Sequence, residues 1–201
     1  MRYGIVIDLS KCVGCNSCTV ACRAEHGTPA GIQYHKVRKY EVGKYPAAKM
    51  KFLPMPCMHC QDPPCLRVCA TGATYQRDDG LVLIDDKKCM GCKYCVLACP
   101  YESRQLIEVI ESYYSGNNPT PYEVLKQKDL KKGVVCKCDF CAARLAVGHL
   151  PACVETCPAQ ARDFGDIDDP GSQVSRLIAA NGGTPLRIEL GTKPSVYYIK
   201  G

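Results

Sequence analysis

The chain of 201 residues is long enough for one domain or two small lobes, yet it holds 17 Cys, no Trp and only 3 Phe. A core of large aromatics is excluded, and the cysteines become the candidate organisers of the interior. The net charge of +6 invites a nucleic-acid partner, but the lysines and arginines are scattered, with no basic run or interleaved aromatic platform.

The N-terminal YGIVID reads as a short apolar strand. It lacks a charged n-region, an apolar h-region and a twin-arginine pair, so the expectation is a chain without an export address of its own. IDLSKCVGCNSCTVAC follows (residues 7–22), ending in a helix-like run after its third cysteine. Residues 23–56 are polar and broken by Gly and Pro, with a possible strand at YHKVRKYEV. CMHCQDPPCLRVC spans residues 57–69, and LVLID then reads as another short strand. IDDKKCMGCKYCVLACP (residues 84–100) superimposes on residues 7–22 without a gap, Ile7 on Ile84, Asp8 on Asp85 and cysteine on cysteine. Residues 101–135 open with a helical pattern, ESRQLIEVIESYY, and pass through SGNNPTPY into a charged stretch. CDFC and CVETCP complete the series within residues 138–158. The tail predicts a helix started at Asp169–Pro170 and stopped at Gly182, then an extended SVYYIK. No apolar run approaches the roughly 18–20 residues of a membrane span.

The cysteines form four groups in the order A, B, A, B. Cys12, Cys15, Cys18 and Cys22 are spaced C-x2-C-x2-C-x3-C, as are Cys89, Cys92, Cys95 and Cys99. Cys57, Cys60, Cys65 and Cys69 read C-x2-C-x4-C-x3-C, and Cys138, Cys141, Cys153 and Cys157 read C-x2-C-x11-C-x3-C. Disulfides fit poorly, because cysteines two apart on a tight loop suit a shared metal. Zinc needs pairs separated by a knuckle and leaves the triplets followed by Cys-Pro unexplained. Three thiolates on a curled loop can cap three irons of a cube, and the fourth iron needs a ligand from elsewhere. In two-cluster ferredoxins the last cysteine of each run serves the other cluster. Sixteen cysteines therefore predict four [4Fe–4S] clusters and an α+β fold of duplicated bacterial ferredoxin-like lobes with loop-rich insertions. Four such clusters with their thiolates would add about −8, leaving the loaded protein at about −2, so the basic excess reads as compensation.

The leftover Cys136 reads as a buried small hydrophobe or spare thiol. His59 is expected to shield or hydrogen-bond a cluster rather than ligate it. Lys11, Lys88 and Lys137, each preceding a first cysteine, and Arg104 are either solvated charges or cations that raise a cluster's potential. With no nucleophile–base pair and no phosphate-cradling loop, a chain spent on holding clusters conducts electrons and is not an enzyme by itself.

These residues resemble the four-cluster iron–sulfur subunits of the dimethyl sulfoxide reductase family of molybdopterin enzymes, the polysulfide, thiosulfate, tetrathionate and arsenate reductase type. The likeness runs through IDLSKCVGCNSC, HCQDPPCLRVCATGATY, KCMGCKYCVLACPY, KCDFCAARLAVGHLPACVETCPAQARDFGDIDDPGSQVSRLI and LGTKPSVYY. It departs at Ala70, where proline is usual, and at Cys136. The resemblance implies a specific exchange: Cys12, Cys15 and Cys18 with Cys157; Cys138, Cys141 and Cys153 with Cys22; Cys57, Cys60 and Cys65 with Cys99; Cys89, Cys92 and Cys95 with Cys69. It implies one unit over 1–201, lobe I built on 1–22 with 136–165, lobe II on 57–100, insertions at 23–56 and 101–135, and a tail at 166–201. The implied partners are a large catalytic subunit carrying bis-molybdopterin guanine dinucleotide near the first-group cluster and a quinone-reactive membrane anchor near the fourth-group cluster. The implied role is single-electron transfer between them in anaerobic respiration. Localisation would be at the membrane through partners, on the periplasmic side by co-export with a signal-bearing partner, with the cytoplasm as the alternative. The other readings are the same wire in a formate dehydrogenase or hydrogenase complex, and a free-standing polyferredoxin.

Overall fold

In a computed structural model, residues 1–114, 116 and 118–200 are described. The elements begin with β1 (Tyr3–Asp8), α1 (Ser17–His26), the hairpin β2 (Lys36–Val42) and β3 (Lys49–Met55), α2 (Pro64–Arg67), β4 (Thr74–Gln76), β5 (Val82–Ile84) and α3 (Tyr94–Leu97). They continue with β6 (Gln105–Leu106), α4 (Pro121–Gln127), β7 (Val135–Cys136), α5 (Ala142–Ala146), α6 (Ala152–Glu155) and β8 (Arg162–Asp166). The chain closes with α7 (Gln173–Asn181), β9 (Thr184–Pro185) and β10 (Val196–Ile199).

A strand buried on both faces reads as a continuous apolar run, and YGIVID is one. It sits inside a four-stranded sheet of order β8-β1-β10-β9. β1 pairs parallel with β10, Ile5 opposite Val196, and antiparallel with β8, Ile5 opposite Phe164. The two ends of the chain thus meet in one sheet. On one face Val6 packs with Val174 of α7 and Ile199. On the other, Ile5, Ile7, Val196 and Tyr198 join Met58, Leu81, Phe140 and the thiols of Cys57, Cys60 and Cys138 in the main core.

The second strand pair is short and local: β4 runs antiparallel to β5, Tyr75 opposite Leu83. The two pairs match in their relation to the cysteines. β5 precedes the group at Cys89 as β1 precedes that at Cys12, and β4 follows Cys69 as β8 follows Cys157.

Two sequence expectations change. The helical pattern over residues 102–114 is not a helix. β6 pairs with β7, Leu106 opposite Val135, and Gln105 Oε1 accepts the Gln33 N–H at 2.7 Å. Tertiary pairing here overrides a marginal local preference, to which Ile107, Val109 and Ile110 contribute β-branching. Residues 115 and 117 of SGNNPTPY lie outside the described set. Beyond them the charged stretch begins with a helix, α4, whose Thr120 and Glu123 form a reciprocal capping box with Pro121 in the first turn. The tail helix starts three residues later than expected, because Asp169 closes a turn onto Gly171 N–H at 2.8 Å while Ser172 caps Ser175 N–H at 3.1 Å. Among the described residues no helix is long and apolar enough to cross a membrane.

Candidate metal centres

The repeated CxGC loops curl for a local reason. Gly14 and Gly91 take φ of +68° and +70°, and the following Asn16 and Lys93 are also left-handed, both at +63°. A Cβ on Gly14 would sit 2.2 Å from the Phe52 ring, and one on Gly91 2.2 Å from the Gly133 carbonyl oxygen. α1 and α3 start directly after these kinks, so Cys18 and Cys95 lie in a first helical turn. Cys22 and Cys99 follow about one turn later.

All 17 cysteines are free thiols. The structure gathers them across the groups. Cys12, Cys15 and Cys18 line one small cavity together with Cys157. Cys22 is raised well above a normal thiol by burial and by the neighbouring Cys153 and Cys141. Burial likewise raises Cys138, and the crowding of Cys22 and Cys153 pushes the same way. Cys60 is pushed up to about 12 by burial, with Cys57, Cys65 and Cys99 around it. For the remaining set, Cys69 lies two residues beyond α2, which packs against α3, the helix that carries Cys95.

Such a set of donors fits a cationic iron–sulfur core. Crowded buried thiols ionise only with a positive centre between them. Backbone N–H groups also reach the sulfurs: Thr74 to Cys69 Sγ at 3.3 Å, Val135 to Cys89 Sγ at 3.4 Å and Ala161 to Cys157 Sγ at 3.4 Å. Donors of this kind are satisfied by thiolate sulfur and tune a cluster bound there. Cys15 is the counter-case: exposed, its thiol is lowered by the Ser17 hydroxyl 3.3 Å away.

The groups succeed one another in space in a different order from that in sequence. Cys18 packs with Cys153, Cys138 with Cys57 and Cys60, and Cys65 with Cys95. The series therefore runs first, fourth, second, third. This corrects the expectation that the fourth group lies at the far end: it is interior, and the third group is terminal. Exposure agrees, because Cys15 of the first group and Cys92 of the third are the two exposed cysteines.

The accessory residues divide. Lys11 and Lys88 are exposed and pair with Asp8 and Asp85, at 3.7 and 3.8 Å, in matching positions of the repeat. Lys137 is the exception to the surface reading: it is buried, and its Nζ donates to the Val82 and Cys138 carbonyls. His59 is buried and spends both ring nitrogens on backbone, Nδ1 accepting from Val82 N–H and Nε2 donating to the Cys138 carbonyl, each at 3.0 Å. It stacks on Phe140 with centroids 3.8 Å apart, so it shields rather than bonds to sulfur. Cys136 packs among Ile107 and Val134 in β7, where burial pushes its thiol up to about 12. Arg104 is buried against Cys65 and Cys57. Sequence reasoning passed over Arg162 and His26. Arg162 is buried near Cys153 and Cys18, and His26 Nε2 lies 3.4 Å from Cys141 Sγ. The signal for Arg162 was present, since it stands five residues after the Cys of a Cys-Pro pair, as Arg104 does.

Two 4Fe–4S dicluster domain families match the chain, one over residues 48–115 and 108–167, the other over residues 11–73. A selenate reductase subunit of Mesobacillus selenatarsenatis is 44% identical over 99% of this chain and 72% of its own length. A tetrathionate reductase subunit of Salmonella typhimurium is 40% identical over 98% of this chain and 72% of its own length. The arsenate respiratory reductase iron–sulfur subunit of a Shewanella species is 39% identical over 100% of this chain and 97% of its own length.

Proposed function

The chain belongs to the iron–sulfur subunits of the dimethyl sulfoxide reductase family, and we propose that its group cysteines hold their clusters in two exchanged pairs along one line. Two dicluster domains carry four [4Fe–4S] clusters. The chain is a non-catalytic electron-transfer subunit of a reductase complex. Each cluster supplies reversible one-electron chemistry without atom transfer, at a potential set by its ligands, neighbouring charge and exposure.

In this reading Cys12, Cys15, Cys18 and Cys157 hold the first cluster, and Cys138, Cys141, Cys153 and Cys22 the second along the line. Cys57, Cys60, Cys65 and Cys99 hold the third, and Cys89, Cys92, Cys95 and Cys69 the last. The observation that carries it is the interleaving of Cys22 with Cys141 and Cys153, and of Cys99 with Cys57, Cys60 and Cys65. The same interleaving supports two ferredoxin-like lobes, lobe I closed by the chain ends and lobe II by residues 57–100. The two interior sets are enclosed, with Cys138, Cys141, Cys153 and Cys22 all buried and Cys57, Cys60 and Cys65 buried beside a half-buried Cys99, which excludes water there. Each end set has one buried cysteine, Cys18 or Cys95.

The line has two exposed ends, and each suits a partner. Val13 and Val20 lie in the same run as Cys15, and Met90 and Leu97 in the same run as Cys92, all between 63% and 81% exposed. Apolar side chains clustered at an electron exit mark contact surfaces. A molybdopterin catalytic subunit fits the Cys15 end and a quinone-reactive membrane subunit the Cys92 end, with the complex on the periplasmic side. The relatives' names, each a subunit of a selenate, tetrathionate or arsenate reductase, support a catalytic partner.

Purification with the native partners tests this. The expected result is about sixteen irons per chain and a co-purifying molybdopterin subunit. A chain that elutes alone with all its iron would refute the fixed-partner reading in favour of a free polyferredoxin.

A further inference from the structure

Among the described residues only three Lys or Arg side chains are buried: Arg104 at 3% exposed, Lys137 at 5% and Arg162 at 5%. None of them is within an ion pair of a carboxylate. An unpaired buried cation is strongly unfavourable, so three of them require counter-charge from another source. Their hydrogen bonding points the same way. Arg104 Nη1 donates to Thr74 Oγ1 at 3.0 Å, while its Nε and Nη2 have no partner. Arg162 Nη2 donates to His35 Nε2 at 2.6 Å, and its Nη1 has none. A guanidinium only donates, so His35 accepts through Nε2 and keeps its proton on Nδ1, 3.4 Å from Thr19 Oγ1.

The three cations occupy different junctions of the cysteine series. Arg162 is acted on electrostatically by Cys153, assigned above to the second cluster, and by Cys18 and Cys157, assigned to the first. Lys137 is bonded to the Cys138 carbonyl and acts electrostatically on Cys65. Arg104 is acted on electrostatically by Cys65 and Cys57, assigned above to the third cluster, and by Cys95, assigned to the last. Every junction therefore has one buried cation, and the described residues hold no fourth.

We propose that Arg162, Lys137 and Arg104 are the counter-charges of the wire, one at each junction, and that each raises the reduction potential of both clusters it separates. The inference rests on the cluster assignment above. Each cluster anion satisfies the free guanidinium N–H groups and offsets the buried charge. In return the fixed cation favours the added electron on either side, so neighbouring potentials rise together. The guanidinium groups of Arg162 and Arg104 stay charged throughout, and the electron moves without a proton.

The test is a redox titration followed by electron paramagnetic resonance on the complete iron-loaded chain with its partners. Arg162→Gln, Lys137→Gln and Arg104→Gln are compared with the unaltered protein, with iron counted in each. Each substitution should lower two potentials and leave two in place: first- and fourth-group clusters for Arg162, fourth and second for Lys137, second and third for Arg104. A shift of about tenfold in the reduction equilibrium, ~59 mV for one electron, is expected for each affected cluster. Unmoved potentials with iron intact would overturn the proposal, as would a shift confined to one cluster. If a Gln variant loses iron, Arg104→Lys, Arg162→Lys and Lys137→Arg decide: recovery of iron and of the original potentials supports a role of charge, and continued loss overturns it. Low iron in the unaltered protein would instead count against the cluster assignment itself.

Discussion

The two halves of the molecule solve the same problem with different amounts of chain. Around Cys57 to Cys99, the second and third groups are held by a strand pair whose partners are close in sequence, Tyr75 opposite Leu83. Around the first and fourth groups, β1 pairs with strands from the far end, Ile5 opposite Phe164 and Val196. Yet both halves set two cysteine runs face to face and place a buried arginine five residues after a Cys-Pro cysteine. Ligand geometry resides in the curled loops, and the strands need only bring the loops together. A short hairpin suffices for one half, whereas the other depends on closure of the entire chain, with its larger loop entropy.

That contrast can be broken most severely by removing residues 196–201, which deletes β10 with its buried Val196 and Tyr198. The first- and fourth-group clusters should be lost and the other two kept, so iron should fall from about sixteen to about eight per chain. A proportionate loss from all four clusters would show that the halves are not separable. Next in size are the exchanged ligands. Cys99→Ser should remove the cluster on Cys57, Cys60 and Cys65, and Cys22→Ser the one on Cys138, Cys141 and Cys153, each costing about four irons; spectra assign which signal disappears.

Core truncation sharpens the difference in closure. Ile5→Ala and Leu81→Ala each remove a side chain 1% exposed or less and should cost about 2–5 kcal/mol in denaturant unfolding of the loaded protein. Only Ile5→Ala should also weaken protection of the C-terminal strand in hydrogen exchange. The glycines of the repeat come next. Both Gly14→Ala and Gly91→Ala impose a left-handed conformation costing about 1–2 kcal/mol. Gly91→Ala should be the worse, because it meets a backbone carbonyl where Gly14→Ala meets a ring that can move. The smallest effect belongs to Cys136→Ala, which should leave iron unchanged and cost about 1 kcal/mol in stability.

Much of the site was legible because cysteine spacing is a local property. The loop that curls at Gly14 and Gly91 is written in CVGC and CMGC, and the helix that follows needs no distant partner. The failures are partly long-range and partly local. The helical pattern after Tyr101 gave way to β6 because β7 supplies a partner strand, and the α4 capping box went unread inside a charged stretch. Lys137 looked like Lys11 and Lys88 in sequence, but β5 and the fourth group close over it.

By itself the sequence determined how many metal centres there are and of what kind, because thiolate spacing on a tight loop limits which core can be held. Only the tertiary structure decided the spatial order of the four groups, which two reach the surface, and that three cations, Arg104, Lys137 and Arg162, are buried. Those properties depend on strands and core residues far apart in the chain, whose meeting is set by packing against one another and leaves no mark in any single stretch of residues.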